Sequence, residues 1–147
     1  MKKIVVAVCL LGCAFVFSGC ALKNGAGPRF VPLNKGICRD TVSGRMWQTE
    51  KGRYAKSLQE ANDVIAELNR TSGYTDWRLP SVAELYDLNY LFDLHQNGEC
   101  TLDREGSYWS VDKSGEGVVG AWEISDQCDP QRKYAPGTKG YVRAVRP

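Results

Sequence analysis

The sequence contains a single histidine, His95, and no serine or cysteine in a recognisable nucleophile motif. Histidine is the usual general base and the commonest metal ligand, and both roles depend on partner residues that the surrounding sequence does not show. We therefore expect His95 to be a surface or helix-end residue. We also expect a protein that is not an enzyme.

The chain also lacks a basic excess. It has 19 lysines and arginines against 17 aspartates and glutamates. Two of the basic residues, Lys2 and Lys3, lie in an N-terminal segment that we predict to be removed, which leaves the remaining chain formally neutral. Because nucleic-acid affinity comes largely from neutralising phosphates, this balance argues against a nucleic-acid partner.

The longest apolar run covers residues 4–17, and it is too short to span a bilayer comfortably. It follows a short positive region and ends in the letters FSGC at residues 17–20. This ending resembles the lipobox of bacterial lipoprotein signal peptides, in which the cysteine is lipidated and becomes the new N-terminus. The earlier match at Cys13 would leave a shorter apolar region, so Cys20 is the predicted lipidation site. A plain secretory peptide and an uncleaved anchor are the alternatives.

The lipobox resemblance implies three acyl chains on Cys20, and two or more chains give stable membrane anchoring. Ala21 after the cysteine implies, by analogy with such lipoproteins, the outer membrane of a bacterium with two membranes. We accordingly predict a signal peptide over residues 1–19 and a lipidated cysteine with a flexible tether over residues 20–34. The single domain is expected over residues 35–147.

The pattern within that domain indicates an α+β fold. Candidate strands cover residues 36–40 and 45–49, with a tight turn between them, and later residues 107–111, 118–125 and 140–145. Two helices are predicted to begin at Ser57 and Ser81, each with a glutamate three residues on, which is capping-box spacing, and each with an apolar stripe. We therefore expect two helices packed on a small, mainly antiparallel sheet, with a long irregular loop over residues 126–139.

The stretch between the two helices, residues 73–81, carries several local constraints. Gly73 can end the first helix in a left-handed conformation, and Pro80 forces Leu79 into extended backbone. Trp77 and Leu79 are then expected to be buried side by side. Arg78 is expected to point the other way and to form a structural ion pair with Glu84.

Five short motifs together resemble the Lcl C-terminal-like domain, a bacterial family of largely unknown function. The motifs are DTVSGRMWQ at residues 40–48, WRLPS at 77–81 with Glu84 and Leu85, YWS at 108–110, AW at 121–122 and VRAVR at 142–146. The structural residues of this set are Trp47, Trp77, Arg78, Leu79, Pro80 and Glu84. The resemblance covers nearly all of residues 35–147. It implies a C-type-lectin-like fold, in which the first and last strands pair and a loop region forms the ligand surface.

On this resemblance the variable surface lies between residues 112 and 139. The candidate ligand-binding residues are Trp109, just before this surface, or Trp122 for stacking on a sugar, the acidic Glu116, Asp126 and Asp129, and also Arg132 and Tyr134. The calcium-binding segments of lectins with this fold do not occur in the sequence, so we expect no cofactor. Calcium is still possible through the three acidic residues, because calcium binds oxygen ligands.

Three cysteines, Cys38, Cys100 and Cys128, remain in the predicted domain, and one must be left over from any single disulfide. Loop entropy does not choose among the three pairings, because the 100–128 loop is worth roughly 3.5 kcal/mol and the longer loops little more. We predict a Cys100–Cys128 bridge, because these residues flank the strands between them and because C-type-lectin-like domains carry an equivalent bridge.

These observations predict a lipid-anchored, non-enzymatic binding module of the cell envelope that recognises a glycan or a protein. A structural or accessory subunit of an envelope assembly is the alternative. A formylglycine-generating-like enzyme is a second alternative, suggested by WRLP at residues 77–80. Such enzymes need a reactive cysteine pair near the C-terminus, but Ala144 stands where the Lcl-like family often has a cysteine.

Overall fold

The computed structural model describes residues 27–34, 36–124 and 132–147. Within these residues the chain forms β1 (Phe30–Asn34), β2 (Ile37–Asp40), β3 (Met46–Gln48), β4 (Tyr54–Ala55), α1 (Leu58–Thr71), α2 (Val82–Asp93), β5 (Tyr108–Val111), β6 (Gly117–Ile124), β7 (Arg132–Gly137), β8 (Gly140–Tyr141) and β9 (Val145–Arg146). The predicted α+β class is confirmed, although the strands form two sheets where we expected one. The predicted signal peptide and Cys20 lie outside the described residues.

The first sheet has the strand order β1-β2-β3-β9, and every neighbouring pair is antiparallel. Its centre is the predicted hairpin of β2 and β3. The turn closes through a hydrogen bond of 2.8 Å from the amide of Gly44 to the carbonyl of Asp40. Gly44 has a φ of +79°, a conformation that glycine adopts without strain. Because β9 pairs with β3, the predicted pairing of the last strand with the opening hairpin is also confirmed.

The second sheet has the order β4-β8-β5-β6-β7, with one parallel pair between β5 and β8. The single strand predicted over residues 140–145 is therefore wrong, because β8 belongs to this sheet and β9 belongs to the first. Between them Val142, Arg143 and Ala144 are 0%, 1% and 0% exposed. The chain passes from one sheet to the other through the interior.

Arg143 is held in that interior without a carboxylate among its hydrogen-bond partners in the described residues. Its guanidinium lies 4.3 Å from the centre of the Tyr108 ring. It donates hydrogen bonds to the carbonyls of Thr49 and Asp103 and to the Tyr108 hydroxyl. Burial lowers the pKa of Arg143 below its ordinary value. Two backbone carbonyls, the Tyr108 ring and the nearby charge of Asp103 thus support the buried guanidinium.

Two strands lie where we predicted irregular chain. The predicted tether over residues 20–34 is wrong at its end, because Phe30–Asn34 forms β1 and Phe30 is 1% exposed, with its ring 5.1 Å from that of Phe92. The predicted loop over residues 126–139 contains β7, which pairs with β6 along its whole length. Pro32 and Pro136 interrupt the strand pattern in the sequence, and both lie on edge strands, where proline is tolerated.

Both predicted helices are present, with different caps. At α2 the capping box is complete, because the Ser81 hydroxyl accepts from the Glu84 amide and the Glu84 carboxylate accepts from the Ser81 amide. At α1 the Ser57 hydroxyl accepts from the Glu60 amide, but the Glu60 carboxylate accepts from Lys56 instead. Only one of the two hydrogen bonds of the predicted capping box is therefore present at α1.

The stretch between the helices, residues 73–81, has the buried side chains that we predicted. We call it the strut. Trp77 and Leu79 are 2% and 4% exposed, and Gly73 has a φ of +80°. Asn69 of α1 brackets Trp77, accepting from its amide at 2.8 Å and donating to its carbonyl at 2.9 Å. The backbone of Arg78 exchanges two hydrogen bonds with Val145 of β9. The strut therefore ties α1 to the first sheet.

The predicted Cys100–Cys128 disulfide is wrong, because Cys100 is bonded to Cys38. Cys38 lies in β2 and Cys100 follows α2, and both belong to one buried cluster with Phe30, Trp47 and Phe92. Packing of α2 against the first sheet brings their Cα atoms to 6.3 Å. Cys128 lies outside the described residues. In the part of the chain that is described, neither helix has the length and apolar character that crossing a membrane requires.

Candidate functional site

An open groove of about 660 Å³ lies between the beginning of α2 and the strands β5 and β6. We call it the groove. It is lined by Ser81, Val82, Ala83, Tyr86, Val111, Asp112, Lys113 and Trp122. Most of these side chains are apolar or aromatic, so the groove is suited to an apolar or flat ligand surface.

The wall formed by α2 is fixed by the residues before it. The amide of Val111 donates to the carbonyl of Pro80 at 2.9 Å, which attaches the end of β5 to the strut. The Ser81 capping box then sets the direction of the helix. The WRLPS motif therefore positions one wall of the groove, although its own Trp77 and Leu79 are buried in the core.

Glu84, in the first turn of α2, forms the ion pairs that hold this wall in place. Its carboxylate forms a bidentate pair with Arg78 at 2.8 and 2.7 Å and lies 3.3 Å from Arg45. Burial raises the pKa of Glu84, but the hydrogen bonds from Arg78 and Ser81 and the charges of both arginines outweigh it and lower the pKa to about 2. The predicted structural ion pair of Arg78 and Glu84 is confirmed.

The opposite wall is an aromatic cluster centred on Trp122. The Trp122 ring lies 4.8 Å from Tyr86 of α2 and 5.3 Å from Tyr134 of β7, with interplanar angles of 61° and 58°. Gly120 makes room for this cluster, because a Cβ there would be 2.4 Å from the ring of Tyr134. Burial raises the pKa of the Tyr134 hydroxyl. The half-buried indole is thus held on two sides before any ligand arrives.

The rim of the groove is the turn between β5 and β6. The Asp112 carboxylate accepts hydrogen bonds from the amides of Ser114 and Glu116 at 2.9 Å each and from the Ser114 hydroxyl at 2.7 Å. The Ser114 hydroxyl bond and these amide bonds lower the pKa of Asp112. Asp112 is therefore engaged in the turn, whereas Lys113 is exposed at the rim.

The predicted ligand-binding residues lie in different environments in the structure. Trp109 is 6% exposed and donates its ring N–H to the carbonyl of Ala55 at 3.0 Å, so its prediction as a stacking residue is wrong. Trp122 and Tyr134 are brought together. Glu116 is exposed on the turn outside the groove lining. Asp126, Asp129 and the side chain of Arg132 lie outside the described part.

Tyr86 is the functional candidate that the sequence analysis missed. Val82, Tyr86 and Tyr90 recur at intervals of four residues along α2 and so share one face of the helix. The Tyr86 and Tyr90 rings are stacked, with centres 6.0 Å apart. This aromatic spacing was visible in the sequence, but the helix was predicted from the apolar residues Val82, Leu85, Leu88, Leu91 and Phe92, which include neither tyrosine.

In residues 27–34, 36–124 and 132–147 no group of three or more histidine, cysteine, aspartate or glutamate side chains could hold a metal ion. Calcium binding through Glu116, Asp126 and Asp129 stays a prediction. His95 is exposed and follows α2, with a φ of +55°. It occupies the helix end that we expected.

A search of curated proteins and a search of solved structures found no match to the chain. A family model for the Lcl C-terminal domain matches residues 36–146. The match contains the strut, the groove and the disulfide-bonded cysteines. The chain belongs to the Lcl C-terminal domain family.

Proposed function

We propose that this protein is a non-enzymatic binding module of the bacterial cell envelope, and that its ligand, a protein or a glycan, binds in the groove. The observation that supports this proposal is the half-buried Trp122, held between Tyr86 and Tyr134 on one wall. A pre-positioned aromatic ring loses little conformational entropy on binding, which is why such residues often dominate binding energy.

The composition of the groove favours a protein ligand. Val82, Ala83 and Val111 face the groove together with the aromatic side chains, and few polar atoms compete with them. An apolar side chain of a partner protein would replace water on these walls at little desolvation cost. This also supports docking in an envelope assembly, as an accessory subunit.

A glycan is the second candidate, because the indole of Trp122 offers a flat apolar surface to a sugar ring. The exposed Lys113 at the rim supplies a hydrogen-bond donor for hydroxyl or acidic groups. The C-type-lectin-like fold predicted from the motifs would fit this candidate. Calcium in the adjoining loop would then be a separate requirement.

We expect Trp122→Ala to weaken ligand binding at least about tenfold, because it removes the aromatic wall. The chain from residue 23 onward would be screened against a glycan array, with calcium and with a chelator, and against a random peptide library. The dissociation constant of each ligand found would then be measured for both proteins.

The matched control is Tyr54→Ala, which removes an exposed aromatic residue at the other end of the same sheet. Circular dichroism and thermal unfolding would establish that both variants are folded. Ligands that bind Trp122→Ala as tightly as the unaltered chain would exclude the groove as their site. A ligand that binds only with calcium, and binds Trp122→Ala as tightly as the unaltered chain, would instead indicate a site at Asp126 and Asp129.

The membrane part of the proposal rests on the lipobox-like residues before Cys20. We propose that Cys20 is lipidated and holds the domain on the outer membrane. Cys20→Ser is expected to abolish the acyl chains and to remove the full-length protein from the outer-membrane fraction in a bacterial host. Mass spectrometry of the N-terminal peptide checks the acyl chains directly, and an unmodified Cys20 would contradict the proposal.

A further inference from the structure

The end of the domain that receives the chain from Cys20 has a distinct surface. A shallow depression of about 490 Å³ lies there, lined by Gly27, Pro28, Arg29, Thr41, Val42, His95, Gln96 and Gly98. Val42 is 74% exposed, more than any other large hydrophobic residue in the described part of the chain. We call the surface formed by Pro28, Val42, His95 and Gln96 the anchor-side face.

This face is held together by backbone contacts. The amide and hydroxyl of Thr41 both donate to the carbonyl of Arg29, at 2.8 and 3.0 Å, so the turn of the first hairpin is attached to the incoming chain. A Cβ on Gly98 would be 2.6 Å from Pro28, so the loop after α2 packs closely against the same segment. Val42 is therefore an apolar side chain on a fixed turn, exposed without contributing to the core.

The charges of the face suit a lipid surface. Of the described residues that line the depression none is a carboxylate. Arg29 is paired with Asp40 at 3.1 and 3.2 Å, which leaves that acidic side chain neutralised and 5% exposed. The depression itself therefore places no carboxylate against anionic headgroups, although Glu99 beside it is exposed.

Chain length restricts how the domain can sit on a membrane. Seven residue steps separate Cys20 from Gly27, and even fully extended they span at most about 25 Å. A domain of this size is roughly 35 Å across. An anchored Cys20 therefore keeps the anchor-side face near the bilayer and makes the opposite end hard to bring there.

We propose that the anchor-side face contacts the lipid headgroup region, with Val42 inserted at the surface. This inference rests on the proposed lipidation of Cys20 and adds the orientation of the domain. The groove is at the N-terminal end of α2 and the anchor-side face is at its C-terminal end. The 12 residues of α2 separate them by about 18 Å. The groove and the anchor-side face share no lining residue, so contact of this face with lipid leaves the groove open to a ligand.

A nitroxide label tests this orientation in the full-length lipidated protein, reconstituted in vesicles of phosphatidylethanolamine and phosphatidylglycerol. The label is attached at Val42→Cys or, as the matched control, at Ser114→Cys in the turn beside the groove. Both proteins carry Cys128→Ser, and Cys38 and Cys100 are occupied by their disulfide. Collisions of the label with oxygen report lipid contact, and collisions with a water-soluble nickel complex report water contact.

We expect membrane attachment to reduce nickel accessibility at position 42 at least about threefold relative to the unlipidated protein that begins at residue 23, and to leave position 114 unchanged. Equal nickel accessibility at both positions, in protein that floats with the vesicles, would overturn the orientation while leaving lipidation intact. Protein that fails to float and lacks acyl chains would instead overturn the anchoring on which the inference rests. Hydrogen exchange of the unlabelled protein over residues 41–43 and 94–98 provides the same comparison without substitutions, and protection there in vesicles is the expected result.

Discussion

Replacing Cys38 and Cys100 together by alanine is expected to lower the free energy of unfolding by about 4 kcal/mol. The bridge joins residues with a sequence separation of 62, and closing a loop of that length removes about this much chain entropy from the unfolded state. Cys38 and Cys100 are 4% and 2% exposed, so the substitutions also leave a small space in the first core cluster. Denaturant unfolding of the oxidised protein and the double variant, both at neutral pH, measures the difference.

Cys128→Ser is the control that separates the two possible bridges. With Cys38 bonded to Cys100, this substitution leaves the bridge intact, and we expect a change in unfolding free energy well below that of the double variant. A loss of about 3.5 kcal/mol for Cys128→Ser, together with a small effect of Cys38→Ala, would instead support a Cys100–Cys128 bridge. Adding a reductant should destabilise the unaltered protein to the level of the double variant, and it should not change the double variant.

The disulfide shows why part of the structure could not be read from the sequence. The choice among Cys38, Cys100 and Cys128 depends on which elements pack together, and loop entropy differs too little between the pairings to decide it. The structure decides it through the contact of α2 with the first sheet, where Phe30 meets Phe92. Phe30 itself was assigned to a tether, so the information that favours the correct pairing lay outside the predicted domain.

Local signals predicted the local structure well. Ser57, Ser81, Gly44 and Gly73 each occupy the cap or turn that their residue type favours, because capping and left-handed backbone depend on neighbours in the sequence. Strands with proline or with little alternation were missed, as β1 and β7 show, because tertiary pairing supplies their stability. The division of residues 140–145 between two sheets has no local signal.

The candidate site was predicted only in part. Trp122 and Tyr134 were identified through the family resemblance, and the structure places their rings 5.3 Å apart. Trp109 was assigned the same role, because both faces of β5 are buried, with Tyr108 5% and Ser110 0% exposed, and nothing in the sequence indicated that this strand has no exposed face. The groove wall from α2 was missed because Tyr86 lies off the apolar stripe.

The second large effect concerns Glu84 at acidic pH. Its pKa is about 2 in the folded protein and 4.5 as an ordinary glutamate. Since the folded pKa is the lower one, the charged carboxylate stabilises the fold above pH 4.5, and this contribution is lost as the pH falls from about 4.5 towards 2. At about 1.4 kcal/mol per pKa unit, the charged carboxylate of Glu84 contributes at most about 3 kcal/mol to the free energy of unfolding.

Glu84→Gln is therefore expected to lower the unfolding free energy by up to about 3 kcal/mol at pH 7 and to flatten its decline between pH 4.5 and 2. The side chain of Glu84 is 10% exposed but that of Arg78 is 46% exposed, so solvent partly screens the pair and about 3 kcal/mol is the upper limit of the loss. Urea unfolding at closely spaced pH values gives both quantities. Identical slopes for the variant and the unaltered chain across this window would contradict the assignment.

Glu60→Gln provides the comparison at the corresponding position of α1. Its carboxylate accepts one exposed backbone hydrogen bond, from Lys56, so we expect a loss of at most about 1 kcal/mol at pH 7. Glu84 differs because Arg78 and Arg45 meet it at the start of α2, and Ser81, Val82 and Ala83 there form one wall of the groove. Fraying of that turn in Glu84→Gln should weaken ligand binding even where the protein is fully folded. Glu60→Gln should bind normally, because α1 contributes no residue to the groove lining.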